Sequence, residues 1–220
     1  MDFEALAVPA LVLVSLTSLA LLVVEDWRLS ILALAAQYVG VFFLVGIAWP
    51  LEMAITKVVA GWMAGAVLGM AAISLPRSMP ADHLVDGTNG GFIEPPGTVL
   101  VSQSLIPRST AGMLFRLLAA ILVGLVVLSA APQLVGWSSD LSLEPVVGSL
   151  LLIGMGLVKL GFTSRPLHTI LGLLTALAGF EILYAAVEDS TLVAGLLAGV
   201  NLGLALVGAY LLVAPQMEEA

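Results

Sequence analysis

Residues 51–75 read LEMAITKVVAGWMAGAVLGMAAISL, an apolar run that contains one basic residue, Lys57. A helix of about 20 apolar residues crosses the hydrocarbon core of a bilayer, so this run predicts a transmembrane helix. The rest of the chain has the same character. Of its 220 residues, 60% are hydrophobic and 10% are charged, whereas a soluble domain carries about 25% charged residues. The composition therefore indicates an integral membrane protein and not a soluble enzyme.

Six further apolar runs flank this one, separated by short polar breaks such as Glu25–Arg28 and Glu188–Asp189. We predict an all-α polytopic membrane protein with seven transmembrane helices. The expected spans are roughly 5–24, 29–48, 51–75, 114–135, 146–162, 167–187 and 190–214. The N-terminus is acidic and lacks the basic region of a cleaved signal peptide, so the first run is expected to remain as an anchor.

The longest break, residues 76–113, is rich in proline and glycine. We interpret it as a loop outside the membrane on the cytoplasmic side. Within it, Thr98–Leu105 is a candidate short strand or a segment that lies against a partner.

Basic residues predict the orientation of the chain. With seven spans and the N-terminus outside, the inner segments hold six of the seven Lys and Arg residues: Arg28, Arg77, Arg108, Arg116, Lys159 and Arg165. The outer segments hold only acidic ones: Glu52, Asp140, Glu144, Glu188 and Asp189. Because cytoplasmic loops carry an excess of Lys and Arg, we predict a multi-pass protein of the cell membrane with its N-terminus outside and its C-terminus in the cytoplasm.

An internal similarity links residues 59–71 with residues 193–205, which are identical at eight of thirteen positions. We interpret residues 1–75 and 146–214 as two parallel three-helix units, joined by the helix at 114–135. The alternative is a chance repetition of small residues. Both segments space glycine every fourth residue, which allows close helix packing. The glycines concerned are Gly61, Gly65, Gly69, Gly195, Gly199 and Gly203.

Lys57 and Glu181 are the ionisable residues that the spans place well inside the membrane. Lys57 lies roughly 9 Å below the outer end of its span and Glu181 roughly 10 Å below the outer end of its own, at 1.5 Å per residue. A charge at this depth is costly, so each should face a partner or water. We predict that both belong to an ion path. The alternatives are a static pair, or a Lys57 that reaches out to the headgroups.

Three more polar residues are candidates for the same path. Gln37 and Asn201 lie near mid-depth, where a hydrogen bond between helices is the expected role. His168 begins the sixth span on the cytoplasmic side and either passes protons inward or is a solvated helix-end residue. Lys159, near the same side, is expected to extend its ammonium group to the inner surface.

Several classes of function lack the residues they need. The chain has no cysteine and two histidines, which removes thiolate-held clusters and makes a bis-His haem unexpected. We find no phosphate-binding Gly-rich loop, dinucleotide fingerprint or metalloprotease motif. We therefore predict no cofactor, no metal site, no nucleic-acid partner and no catalysis by this chain alone.

Two sets of short motifs resemble known membrane proteins. Gly179-Phe180-Glu181-Ile182, followed by Gly203-Leu204-Ala205-Leu206, resembles the last two helices of the K subunit of bacterial complex I. Arg28-Leu29-Ser30 through Gln37, followed by Ile55-Thr56-Lys57-Val58, resembles the membrane-embedded E component of hydrogenase-4-type (group 4 hydrogenase) complexes, including formate hydrogenlyase. The C subunit of multi-subunit Na⁺/H⁺ antiporters is a related alternative. The resemblance covers most of the spans but not residues 76–113.

This resemblance implies an accessory subunit of a multi-subunit redox complex that translocates protons or sodium ions. Its implied partners are antiporter-like and other membrane subunits, and Glu181 matches the family's first intramembrane carboxylate. The family's second carboxylate is not matched, since Gly199 stands at about its place with Asn201 nearby. Two other interpretations remain open: a scaffold that conducts no ions, and a small transporter that works alone.

Overall fold

The computed structural model describes residues 3–74, 110–136 and 142–217. Within these ranges the chain forms seven α-helices and no strand, which confirms the predicted fold class. The helices are α1 (Phe3–Val23), α2 (Trp27–Val45), α3 (Leu51–Ser74), α4 (Thr110–Val135), α5 (Leu143–Phe162), α6 (Pro166–Ala185) and α7 (Thr191–Met217). The candidate strand Thr98–Leu105 lies outside the described residues, as do residues 76–109 of the predicted loop. Helix α4 begins at Thr110, four residues before its predicted start.

All seven helices are long and apolar enough to cross a membrane. The chain is therefore a multi-pass membrane protein, because only helices and closed barrels satisfy their backbone groups in lipid. Local signals set the helix starts. The Asp26 side chain caps α2 by accepting a hydrogen bond of 2.9 Å from the Arg28 backbone N–H, and Pro166 begins α6, where its missing N–H costs nothing.

Six of the helices form two adjoining rows. In one row α2 lies between α1 and α3, and in the other α6 lies between α5 and α7. Each helix of the first row also packs on its counterpart in the second: α1 on α5, α2 on α6 and α3 on α7. Helix α4 lies outside the rows against α5 and α1, and it is the least buried of the seven. Counterpart helices of the two rows are thus in contact. The duplication of a three-helix unit stays a prediction.

Two ends of this bundle differ in charge. We call the end that carries Arg28, Arg116, Lys159 and Arg165 the basic end. The opposite end, with Glu52, Glu144, Glu188 and Asp189, is the acidic end. At each end of the bundle, segments that are distant in the sequence are in contact. Arg116 forms a 2.7 Å ion pair with Glu25 at the basic end, and the Trp49 Nε1–H donates a 2.8 Å hydrogen bond to the Glu188 carbonyl at the acidic end.

The backbones of α5 and α6 approach each other closely, and this approach depends on glycines outside the two glycine-spaced segments of α3 and α7. A Cβ atom on Gly156 would lie 2.7 Å from the Gly172 carbonyl oxygen, and one on Gly179 would lie 2.6 Å from the Ser149 carbonyl oxygen. Backbone atoms cannot yield as a flexible side chain can, so these positions require glycine.

Among the described residues, the predicted glycine contacts are met on α3 only in part, and on α7 not at all. A Cβ atom on Gly61 would lie 2.2 Å from the Tyr38 ring, so α2 and α3 need this glycine. At Gly65 and Gly69 the nearest atoms belong to Ile31, at ordinary contact distance. The three α7 glycines are exposed and have open space around them: Gly195, Gly199 and Gly203. Helix α7 uses another face, with Ala194, Asn201 and Ala205, for its buried contacts.

The two glycines that match in the repeat provide a paired test of packing. We expect Gly61→Ala to destabilise the protein by about 1–3 kcal/mol, the usual range for overpacking, because the Tyr38 ring must move. Gly195→Ala, at the matching position of α7, should leave stability unchanged or slightly higher. Thermal unfolding of both variants in the same detergent measures the difference, and equal melting temperatures would contradict this account of the α2–α3 contact.

Candidate functional site

A buried ion pair lies between the two rows of helices. The Lys57 Nζ of α3 is 3.0 Å from the Glu181 Oε1 of α6, and neither side chain has any solvent-accessible surface. The two residues that the sequence places at similar depth do meet. The alternative in which Lys57 reaches out to the headgroups is wrong, because its ammonium group points to a carboxylate inside the bundle.

Trp49 lies beside Lys57 towards the acidic end. The Lys57 Nζ is 5.5 Å from the centroid of the Trp49 ring, within reach of a cation–π interaction. The ring is itself buried and is anchored by its hydrogen bond to the Glu188 carbonyl. Lys57 also donates to the Ala194 carbonyl of α7 over 3.5 Å. The ammonium group thus has an aromatic face, a carboxylate and a carbonyl around it.

Asn201 and Tyr38 extend the pair into a network. The Asn201 Nδ2–H donates a 2.8 Å hydrogen bond to Glu181 Oε1, and the Tyr38 hydroxyl donates a 3.0 Å hydrogen bond to Asn201 Oδ1. Both residues are fully buried. Asn201 therefore has the interhelical role expected of it. The four side chains come from α3, α6, α7 and α2, so one polar network links both rows.

The missing side chain at Gly61 makes room for this network. Gly61 lies on α3 directly against the Tyr38 ring. A larger residue would push Tyr38, whose hydroxyl holds Asn201. The glycine spacing of α3 is therefore linked to the polar network as well as to packing.

Two buried polar groups have no hydrogen-bond partner among the described residues. One is Glu181 Oε2, the second oxygen of the paired carboxylate. The other is the Gln37 amide, whose oxygen and nitrogen both lack a partner although the side chain is fully buried. Gln37 precedes Tyr38 on α2, but it does not join the network through a hydrogen bond. A buried polar group without a partner is rare and points to a ligand, an ion or water.

His168 and Lys159 belong to a different place. Both lie at the basic end, where they line a cavity with Glu25, Arg116 and Arg165. His168 is 13 residues before Glu181 on α6, which corresponds to roughly 20 Å along a helix. Lys159 does not extend to the surface as expected. It is 6% exposed and donates to the Leu21 carbonyl of α1, so this prediction is wrong.

Tyr38 and Trp49 also belong to the site, although the sequence does not mark either of them as a candidate. Tyr38 is adjacent to the candidate Gln37, and Trp49 reads as an interfacial residue at a helix end. Neither carries a charge that would mark it in an apolar run. Their roles depend on which helix faces them, and this is information that spacing along one helix does not contain.

The two carboxylate oxygens of Glu181 differ in their hydrogen-bond partners. Glu181 Oε1 accepts from Lys57 and Asn201, while Oε2 is free of protein partners in the described part of the chain. A proton can therefore bind at Oε2 without displacing the groups at Oε1. Within residues 3–74, 110–136 and 142–217, no group of three or more His, Asp and Glu side chains could hold a metal ion.

Comparison with protein-family models, with curated proteins and with solved structures gives no match to this chain. The resemblance stated from short motifs therefore stays a prediction.

A double-mutant cycle tests whether Lys57 and Glu181 stabilise the fold as a pair. Lys57→Met leaves a carboxylate without its cation, and Glu181→Gln leaves a buried ammonium group without its anion. Each single change should cost up to about 3–5 kcal/mol, the range for a broken buried pair. The double variant should be more stable than either single variant, because no unpaired charge remains. Additive losses in melting temperature, measured in detergent, would show that the two residues do not interact.

Proposed function

We propose that this chain is an accessory membrane subunit of a larger ion-translocating redox complex, and that Glu181 is a proton-carrying group in that complex. The observation that carries the proposal is a fully buried carboxylate with one oxygen held by Lys57 and the other without a protein partner among the described residues.

The cost of burying charge supports a functional role. Each charge at membrane depth costs about 2.5–3.5 kcal/mol on insertion scales, and intramembrane ionisable residues usually mark ion or substrate paths. Apolar residues would fill the same space at no such cost, and replacing buried pairs by apolar residues is often neutral or stabilising. A buried ion pair between two rows of helices, with a Tyr–Asn extension, is more than packing requires.

Proton transfer at Glu181 would weaken the ion pair, while the Tyr38–Asn201 hydrogen bond that also links the rows would stay in place. When Oε2 takes a proton, the charge that attracts Lys57 is removed, while the Asn201 hydrogen bond to Oε1 remains possible. The ammonium group keeps the Trp49 ring and the Ala194 carbonyl as neighbours. Lys57 would then be free to turn towards a new anion, which is how a change of protonation in one group reaches the next.

The resemblance of the short motifs indicates the kind of complex that we propose. It implies a hydrogenase-4-type or complex I-related assembly with antiporter-like subunits, and the C subunit of multi-subunit Na⁺/H⁺ antiporters is the alternative. The second family carboxylate is absent here. Gly199, at about its place, faces outward, while Asn201 faces Glu181. In our proposal the path therefore enters or leaves through a neighbouring protein of the complex instead of a second carboxylate on α7.

A non-conducting scaffold is the second candidate. The exposed glycine face of α7, with Gly195, Gly199 and Gly203, favours it, because small residues let a partner helix approach closely. In that case the ion pair fixes the arrangement of the rows and carries no protons.

The membrane and the orientation also belong to the proposal. The basic end would face the cytoplasm by the positive-inside rule. The Glu181 network would then lie in the outer half of a cell membrane.

Ion translocation by the assembled complex is the direct test. An affinity tag on this chain should co-purify antiporter-like and redox subunits. After reconstitution in liposomes, Glu181→Gln should lower proton translocation at least tenfold per electron transferred, while the complex still assembles. Glu188→Gln, an exposed carboxylate on the same helix–turn segment, is the matched control and should translocate normally.

Other results would favour the alternatives. Normal translocation by Glu181→Gln, together with failed assembly of Gly199→Leu, would assign a scaffold role. Transport by the purified chain alone would assign a self-sufficient transporter. Co-purification of no partner at all would contradict the proposal of an accessory role in a complex.

The absence of cysteine makes the orientation simple to measure. Ser164→Cys lies at the basic end and Asp189→Cys at the acidic end, and both positions are exposed. We expect a membrane-impermeant maleimide to label Asp189→Cys in whole cells and to label Ser164→Cys only after lysis. The reverse pattern would invert the proposed orientation.

A further inference from the structure

A cavity of about 200 Å³ opens at the basic end, between the ends of α1 and α5 and the starts of α4 and α6. A water molecule occupies about 30 Å³ in the liquid, so the cavity has room for more than a few waters. This cavity is separate from the Lys57–Glu181 network. None of its charged residues has a role in the proposed function.

The charges around the cavity favour an anion. Its wall contains Arg116, Lys159 and Arg165 against a single carboxylate, Glu25, a net charge of +2 with His168 neutral. Glu25 is paired with Arg116 at 2.7 Å. In the described part of the chain, no carboxylate lies within 4.0 Å of the Lys159 ammonium group or the Arg165 guanidinium group. Two cations therefore face the cavity without a counter-ion from the described residues.

The position of Lys159 shows that this charge is held in place. A lysine in the last turn of a transmembrane helix normally extends its ammonium group to the surface. Lys159, in the last turn of α5, instead stays buried against the Leu21 carbonyl and lines the cavity. That bond uses one of the three N–H donors of an ammonium group. Helix α6 begins here, with Arg165 as its N-cap, so the positive end of the helix dipole adds to the field.

An apolar surface continues from the cavity into the membrane. Phe162 lines the cavity, and its ring lies 5.4 Å from the ring of Phe115 on α4. Phe115 and its neighbours Leu114 and Leu118 are exposed. An anion that binds in the cavity and carries acyl chains would lay them along this face. Basic pockets between transmembrane helices are known to take lipid headgroups.

We propose that this cavity binds a phosphate group, presented by the headgroup of an anionic phospholipid. Lys159 and Arg165 contact the phosphate, and the Phe115–Phe162 surface contacts the acyl chains. Free phosphate has the same charge chemistry, but it makes no use of the apolar surface. The proposal does not depend on whether Glu181 carries protons.

Native mass spectrometry of the full chain in neutral detergent tests the proposal. Phosphatidylglycerol and phosphatidylcholine with identical acyl chains are the probes, and inorganic phosphate is the third. We expect the chain to retain one phosphatidylglycerol in preference to phosphatidylcholine. Arg165→Gln should weaken this binding about fivefold, the effect of about one basic residue at a membrane surface. Arg28→Gln, which removes the same charge from the same end but outside the cavity, should bind as the unaltered chain does.

A second variant protects the test against a folding defect. Ser164→Asp adds a negative charge at the exposed rim of the cavity and should also weaken phosphatidylglycerol binding. Equal binding by the unaltered chain, Arg165→Gln and Ser164→Asp would overturn the site. Binding of inorganic phosphate that displaces the lipid and is lost in Arg165→Gln would assign the site to free phosphate and overturn the lipid headgroup.

Discussion

The contact between the Lys57 ammonium group and the Glu181 carboxylate constrains the rest of this bundle. Neither charge can remain alone in an apolar interior, so α3 and α6 must keep the relative depth that brings them to 3.0 Å. Because α6 belongs to one row of helices and α3 to the other, the pair also fixes the rows relative to each other. Apolar packing is not directional, and it would tolerate a sliding of the rows that the ion pair does not.

The surroundings of the pair follow from this constraint. Asn201 lies on the buried face of α7, where its amide binds Glu181, and the α7 glycines lie on a different, exposed face. Tyr38 binds Asn201 and needs the space left at Gly61. The network around the ion pair is therefore compatible with this buried face of α7 and with glycine at position 61 of α3. The basic end, about 20 Å away along α6, is organised separately around Lys159 and the cavity.

The sequence predicts the parts of this structure that depend on single segments. Length and hydropathy identify all seven helices, and residue spacing places Lys57 and Glu181 at one depth. Contacts between segments are harder to predict from the sequence. The glycines of α3 and α7 have the same spacing, yet in the described part of the chain those of α3 lie against α2, with Gly61 the closest, while those of α7 have open space around them. A helix that is apolar on all sides does not reveal which face it buries. The sequence does not predict the position of Lys159 for the same reason. A lysine near a helix end is expected to reach the surface, and only the packing of α1 against α5 brings the Leu21 carbonyl within its reach.

The central claim is a direct contact between two side chains, and magic-angle-spinning NMR in lipid bilayers can measure it. The chain has only two lysines, Lys57 and Lys159, so ¹⁵Nζ labelling gives two ammonium signals that Lys159→Arg separates. Dipolar coupling to ¹³Cδ-labelled glutamate should appear at the Lys57 signal and vanish in Glu181→Gln. A Lys57 ammonium signal that shows no coupling to any glutamate carboxyl carbon in the unaltered protein would contradict the account.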